Sequence, residues 1–381
     1  MKVALIHDHL AQDGGAEKVL KVLADMFPDA PIYTLLYEKK NADKYYKGRK
    51  IETSIIQRLP GGVRFYQWYM PFMPMAVEFF DLTQFDVVIS DTSSFAKGVI
   101  TSTKTLHICY CHTPTRYLWS DTHQYLKELK YNKYIKKVIS LILNYVRIWD
   151  RLAADRVDVF IANSKFIAKR ISKYYKRDST IIFPPVDTDN FKVADSIGDY
   201  FLIGGRLAPY KRVDIVVEAF NQLRIKNYEL RIGDKSVKSK LKIFGDGVDM
   251  ERLKKLAEGN PDIEFLGRID DKEKAEAYSK CIAFINPQEE DFGITVVEAM
   301  AAGRPVIAYK SGGAMETVIE GVTGRFFNNQ TAEDLVEVLQ SFNPGQFDSG
   351  KIRMHAEQFS TERFKKKIKD FIEEEYKKFR G

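Results

Sequence analysis

The chain has 381 residues, 45% hydrophobic and 29% charged, a length beyond one ordinary core that predicts two domains. A formal charge of +7 is modest for this size, and no motif of the common nucleic-acid modules occurs, so no nucleic-acid partner is expected. Cys109, Cys111 and Cys281 make no disulfide framework and point to a reducing cytoplasm, "MKVALIHDHL" reads as a buried strand rather than a signal peptide, and no run nears the roughly 20 apolar residues of a spanning helix.

Short β-branched runs alternate with helical patterns throughout, which predicts parallel α/β architecture. In the first half, strands are expected at 3–6, 31–35, 86–90, 106–111, 157–162 and 180–183. After the first of them, "HDHLAQDGGAEKVL" lets Gly14 and Gly15 bring backbone amides to a helix start. That is an anion site or a plain tight turn, and it is not the dinucleotide GxGxxG. Residues 64–80, "RFYQWYMPFMPMAVEFF", are dense in aromatics and methionines and suit an interfacial or lipid-chain contact. In "HICYCHTPTRYLW", strand alternation puts His107, Cys109 and Cys111 on one face. Such neighbours splay apart and no second ligand pair accompanies them, so core is expected rather than zinc. His112 stands at the strand's end. Residues 127–151 carry seven Lys/Arg against two Asp/Glu, either a basic helix for anionic lipid or a core helix with a solvated face.

"FPPVDTDNF" interrupts the pattern as a hinge, giving expected domains at 1–183 and 184–359. The second half begins again, with strands at 200–205, 241–245, 263–267, 281–287, 305–309 and 324–327. In "GGRLAPYKRVD", Gly204 and Gly205 clear space at a strand end, while Arg206 and Lys211 suit a diphosphate. In "FGDG", Gly245 and Gly247 make either a tight turn or room for a flat ring or ribose. "EEDFGITVVEAMAAG" sets Glu290 in a loop and Glu298 in a helix running from Gly293 to Gly303, with the amides of Phe292, Gly293 and Ile294 at its start. Carboxylates accept paired hydrogen bonds from vicinal diols. A metal site would need histidine or a rigid carboxylate frame, and a hydrolytic acid/base pair would leave the cations and glycine turns without a use. The tail "TERFKKKIKDFIEEEYKKF" is an amphipathic helix with Phe364, Ile368, Phe371, Ile372 and Phe379 on one stripe. Two doubly wound sheets facing across a cleft are therefore expected, with the distinctive residues at strand ends.

The segments "GGAEKVL", "CHTPTRYLW", "GGRLAPYKRVD", "FGDG" and "EEDFGITVVEAMAAGRPVIAYKSGGAMETV" resemble those of retaining glycosyltransferases of the GT-B fold, family 4. The resemblance implies that Glu298 binds the nucleotide ribose and that Glu290, with the amides of Phe292 to Ile294, holds the transferred sugar. It implies that Arg206 and Lys211 bind the diphosphate, helped by the Gly15 amide, and that His112 lies near the donor sugar. No metal or other cofactor is implied, and the helix at 360–381 would return to the first domain. Similarity is nearest to bacterial mannosyltransferases of O-antigen assembly. That implies GDP-mannose, a retained α linkage, a lipid-linked (polyprenyl diphosphate) oligosaccharide acceptor in lipopolysaccharide synthesis, and a peripheral place on the cytoplasmic face of the inner membrane. Nothing in spacing separates guanine from another base, so UDP- or dTDP-sugars stay open. So do a sugar-nucleotide epimerase and a non-catalytic sugar-nucleotide sensor at the membrane.

Overall fold

The structure, a computed structural model, describes residues 1–11, 14–225, 229–232, 235–238 and 240–381. Gln12 and Asp13, within the first glycine turn, lie outside the described residues. The chain divides into two compact units, Met1–Pro185 with Phe364–Gly381, and Val186–Arg363.

The first unit holds β1 (Val3–Leu10), β2 (Ile32–Tyr37), β3 (Ile51–Thr53), β4 (Val87–Thr92), β5 (Leu106–Cys111), β6 (Val159–Ala162) and β7 (Thr180–Ile181). Among the described residues they form one parallel sheet in the order β3-β2-β1-β4-β5-β6-β7. Period-two alternation divides its apolar residues between two cores. Val3, Leu5, Val87, Ile89, Leu106 and Ile108 bury against the helix Gly15–Met26, and Phe364, Ile368 and Ile372 of the last helix join the same core. Ala4, Ile6 and Val88 face the other way, onto Met73, Val77, Leu143 and Val146.

The expected basic helix is broken in two. Thr122–Glu128 ends, and Lys133–Asp155 begins where Asn132 caps it by accepting from the Tyr134 and Ile135 amides, both at 3.0 Å. One face of the long helix is core. The opposite face exposes Tyr134, Val138, Leu141, Tyr145, Ile148 and Leu152, spaced alternately by four and three residues, beside exposed Lys133 and Lys137. The Trp68 ring lies 6.1 Å from that of Tyr131, just before the helix, and Phe65, Trp68 and Phe72 are exposed as well. Asp150 anchors the buried face: it accepts from Lys97, from Thr115 Oγ1 at 3.1 Å, from Trp119 Nε1 at 2.7 Å and from Tyr175 OH at 2.9 Å. Among the described residues no helix is long and apolar enough to cross a membrane.

The second unit holds β8 (Tyr200–Arg206), β9 (Glu229–Ile232), β10 (Lys235–Lys238), β11 (Lys240–Asp246), β12 (Ile263–Gly267), β13 (Phe284–Asn286), β14 (Val306–Tyr309) and β15 (Gly324–Phe327). A parallel sheet runs β12-β11-β8-β13-β14-β15, and β9 and β10 pair as a separate antiparallel hairpin. The core gathers Phe201, Ile203, Leu241, Ile243 and Ile285 with Val216, Phe220 and Leu335 from the helices.

Candidate functional site

In the second sheet, the carboxyl ends of β8, β11 and β13 carry the residues singled out from the sequence, where open α/β sheets bind ligands. β8 closes on Gly204, Gly205 and an exposed Arg206. Gly205 takes φ +127°, with open space where a Cβ would stand, so conformation alone calls for glycine there. Gly245, at φ +111°, has a different reason: a Cβ would lie 1.8 Å from the Gly205 carbonyl oxygen. The close approach at Gly245 is therefore to the neighbouring strand, where the sequence suggested space for a flat ring or ribose.

Beyond Arg206, the turn Pro209–Lys211 leads to Arg212, which adopts φ +52°, an uncommon conformation for a residue with a side chain. Arg212 Nη1 donates to Gln330 Oε1 at 3.0 Å, and Gln330 Nε2 donates to the Pro287 carbonyl at 2.8 Å. This chain ties the Lys211 turn to the loop after β13. There, Lys211 Nζ forms an ion pair with Glu290 Oε1, and Gln288 Nε2 donates to the same oxygen at 2.8 Å. Both side chains of the pair are 20% exposed. The Glu290 carbonyl accepts from the Gly313 amide at 2.8 Å, and a Cβ on Gly312 would come within 2.3 Å of that carbonyl. Gln288, Arg212, Gln330 and the Gly312–Gly313 pair escaped the sequence reading as site residues. The glycine doublet just after β14 was the signal that could have found the last of these.

Gly293, at φ +91°, turns the chain into the eight-residue helix Ile294–Ala301, which ends before Gly303 at φ +73°. Phe292 is buried, its ring edge-on to Phe359 at 5.6 Å, so its side chain anchors the loop while the amides of Phe292, Gly293 and Ile294 stand at the helix start. Glu298, one turn into the helix, is 4% exposed. Its carboxylate accepts from Lys274 Nζ at 3.4 Å and from Tyr278 OH at 3.3 Å. Glu290 and Glu298 thus have separate surroundings, one paired with the cation of a turn and the other held inside the fold.

The first unit carries its own cluster at the ends of β1, β4 and β5. His112 directly follows β5; its Nε2 lies 2.6 Å from Asp91 Oδ1, and its carbonyl accepts from Asn163 Nδ2 at 3.0 Å. Asp91 Oδ2 lies 2.9 Å from His7 Nδ1, and His7 Nε2 is 4.0 Å from Glu17 Oε1. Burial of Asp91 favours its neutral form, yet the imidazoles of His112 and His7 hold the carboxyl below its usual range. Burial likewise opposes charge on His7, but hydrogen bonds and charges from Asp91 and Glu17 push it from 6.5 up to about 10. Gly14 is extended and its carbonyl accepts from the Lys18 amide at 3.2 Å, so Gly14 and Gly15 open the helix that carries Glu17. Of this cluster the sequence reading marked only His112. His7, Glu17, Asp91 and Asn163 lie up to 156 residues apart in sequence, and the parallel strands bring them together; "HDH" and "SDT" at two strand ends were the available signals.

His107, Cys109 and Cys111 do share a strand, each buried in its surroundings. His107 Nε2 is 2.9 Å from Ser90 Oγ and burial lowers its pKa to about 3, while both cysteines pack with Phe160, Ile167 and Tyr175. Among the described residues no group of three or more His, Cys, Asp or Glu stands close enough to hold a metal ion.

The raised value of His7 has a consequence for stability. Its stabilising contribution is complete below the unfolded value of 6.5 and is lost as pH rises through about 10, by about 1.4 kcal/mol for each unit of separation. Urea unfolding should therefore show stability falling across that window, and His7→Gln should flatten the fall. An equal slope in the variant would place the titration elsewhere.

Two family models match in series: the one described as Glycosyltransferase Family 4 over residues 13–190, and the one described as Glycosyl transferases group 1 over residues 188–346. The Alpha-1,3/1,6-mannosyltransferase ALG2 of Dictyostelium discoideum is 26% identical over 325 residues, which is 75% of this chain and 73% of that protein. An uncharacterized glycosyltransferase of Methanocaldococcus jannaschii is 30% identical over 203 residues, 52% of this chain and 53% of its own length. Among solved structures, Anabaena HepE in complex with UDP superposes with a TM-score of 0.70 at 17% identity, over 98% of this chain and 100% of that one. Sucrose-phosphate synthase from Thermosynechococcus elongatus gives 0.72 at 15% identity, over 99% of each chain.

Proposed function

The chain belongs to the GT-B-fold glycosyltransferases, a family 4 domain followed by a group 1 domain, and from that premise we propose that it is a retaining α-mannosyltransferase using GDP-mannose. The observation that carries the donor side is the Lys211–Glu290 pair, which joins the turn after β8, the strand that ends on Arg206, to the loop after β13. A diphosphate is a stronger partner for Lys211 than a single carboxylate is. Its arrival draws the ammonium away and leaves Glu290 able to accept from sugar hydroxyls. Arg206 and Lys211 then neutralise the departing diphosphate, the part a metal plays elsewhere. Glu298, whose carboxylate meets Lys274 and Tyr278, takes the ribose diol. Similarity to a protein named as a mannosyltransferase supports the sugar. Titration calorimetry with GDP-mannose, a UDP-sugar and a dTDP-sugar tests the donor. GDP-mannose should bind tightest, and a preference for either of the others would replace it.

The acceptor in this reading is a lipid-linked (polyprenyl diphosphate) oligosaccharide of O-antigen or related polysaccharide synthesis, met at the cytoplasmic face of the inner membrane. Support comes from the exposed stripe Tyr134 to Leu152 with its adjoining aromatics. An apolar stripe beside lysines suits an anionic bilayer surface. Sedimentation with phosphatidylglycerol vesicles should fall as salt shortens the field to about 8 Å near physiological ionic strength, and Leu141→Glu should weaken it further without altering donor affinity. Binding indifferent to salt, lipid charge and Leu141→Glu would return the helix to a purely structural part.

A further inference from the structure

Asp91 lies wholly inside the first unit, yet its carboxylate serves two imidazoles on either side: His112 through Oδ1 at 2.6 Å and His7 through Oδ2 at 2.9 Å. An ionised carboxylate accepts only, so both rings donate to it. His7 also faces Glu17 with its second nitrogen, so both of its nitrogens meet acids. His112 differs. Its Nδ1 has no hydrogen-bond partner among the described residues, and its ring is 11% exposed. One ring nitrogen of His112 therefore remains able to accept at a strand end.

We propose that Asp91 is a positioning residue that holds His112 in a single tautomer, with the Nε2 proton donated to the carboxylate and the Nδ1 lone pair turned toward a sugar hydroxyl. The inference rests on the reading that places His112 at the sugar. Around this pair, β1 contributes His7, the helix Gly15–Met26 contributes Glu17, β5 contributes the Tyr110 ring 5.2 Å from that of His112, and Asn163 follows β6. His7, pinned between two acids, supplies the positive charge that keeps Asp91 ionised and therefore an acceptor. The bland alternative is a buried ion-pair network that only stabilises the sheet edge. The two differ in one readout: a network that only stabilises the fold leaves turnover unchanged in a folded Asp91→Asn variant, whereas a positioning residue lowers turnover as the tautomer changes.

The test is a long-range proton–nitrogen NMR spectrum of the full chain with labelled histidine. The chain has 6 histidines, and His112 is assigned by its loss in His112→Gln. The expected wild-type pattern near neutral pH is a protonated Nε2 and a bare Nδ1. Asp91→Asn can donate to Nε2 through its amide, so the proton should move to Nδ1 in that variant, with turnover down about tenfold or more and donor affinity within a few-fold. A wild-type His112 protonated on Nδ1, or a tautomer unchanged in Asp91→Asn, would overturn the proposal. Should Asp91→Asn fail to fold, the wild-type spectrum decides alone. Because the tautomer is read without any transfer, an absent transferase activity would sink the functional reading and leave this result standing.

Discussion

Lys211→Ala should lower turnover by about one hundredfold or more, the scale of removing one donor aimed at charge that develops in a transition state. The reason lies in the pairing with Glu290. Under the proposed function, negative charge grows on the departing diphosphate and is met by Lys211 and Arg206, whereas a ground-state contact of equal strength would change affinity and leave turnover alone. Stability should barely move. The Lys211–Glu290 pair is one-fifth exposed, water screens what remains of the attraction, and exposed pairs of this kind contribute about 0–1 kcal/mol. Glu290 keeps Gln288 as a partner. Thermal unfolding run beside the rate assay separates the two effects, and an active Arg206→Ala/Lys211→Ala double variant would end the assignment.

His112→Ala should leave nucleotide affinity within a few-fold while transfer falls about one hundredfold or more. His112 follows β5 in the first unit, and the proposed nucleotide grips are residues of the second, so under that proposal its loss bears on the sugar rather than on the nucleotide. With Nε2 at Asp91, the proposed function has the ring meet a sugar hydroxyl through Nδ1, a contact expected to tighten as positive charge builds at the anomeric carbon. The main chain adds to this: Asn163 takes one lone pair of the His112 carbonyl, and a carbonyl has two. Calorimetry and transfer rates on one preparation decide. Near-normal transfer would make His112 structural, and equal losses in binding and transfer would make it a donor anchor only.

Much of this was legible in the sequence because buried parallel strands read as unbroken β-branched runs. "LHICYC", "IEFLG" and "GRFF" mark β5, β12 and β15 residue for residue. β3 is only three residues long, too short a run to read, and the hairpin strands "ELRI" and "KSVK", which pair outside both main sheets, mix charged residues into what is otherwise a β-branched signal. The proposed donor-side residues were picked out by local spacing, since Glu290, Phe292, Gly293 and Glu298 fall within nine consecutive residues. His7, Glu17, Asp91 and His112 have no such spacing. Their meeting is set by the β1-β4-β5 strand order, in which His7 pairs with Asp91 in register. The Asp150 knot is tertiary in the same way, gathering Lys97, Thr115 with Trp119, and Tyr175 from three separate segments. Asn132 is a different case, since a good helix N-cap followed by helix formers was there to be read as a helix start.

The central claim is that Glu290, Glu298, Arg206 and Lys211 grip a sugar nucleotide for transfer, without a metal and without hydrolysis. Incubation of the purified chain with GDP-mannose labelled in the sugar, lipid-extract acceptor and excess EDTA, followed by partition between organic solvent and water, tests it most directly. The account predicts label moving into the lipid phase at close to the rate seen without chelator. Label released only as free mannose in the water phase, or lipid-phase label abolished by EDTA and restored by magnesium or manganese, would contradict it.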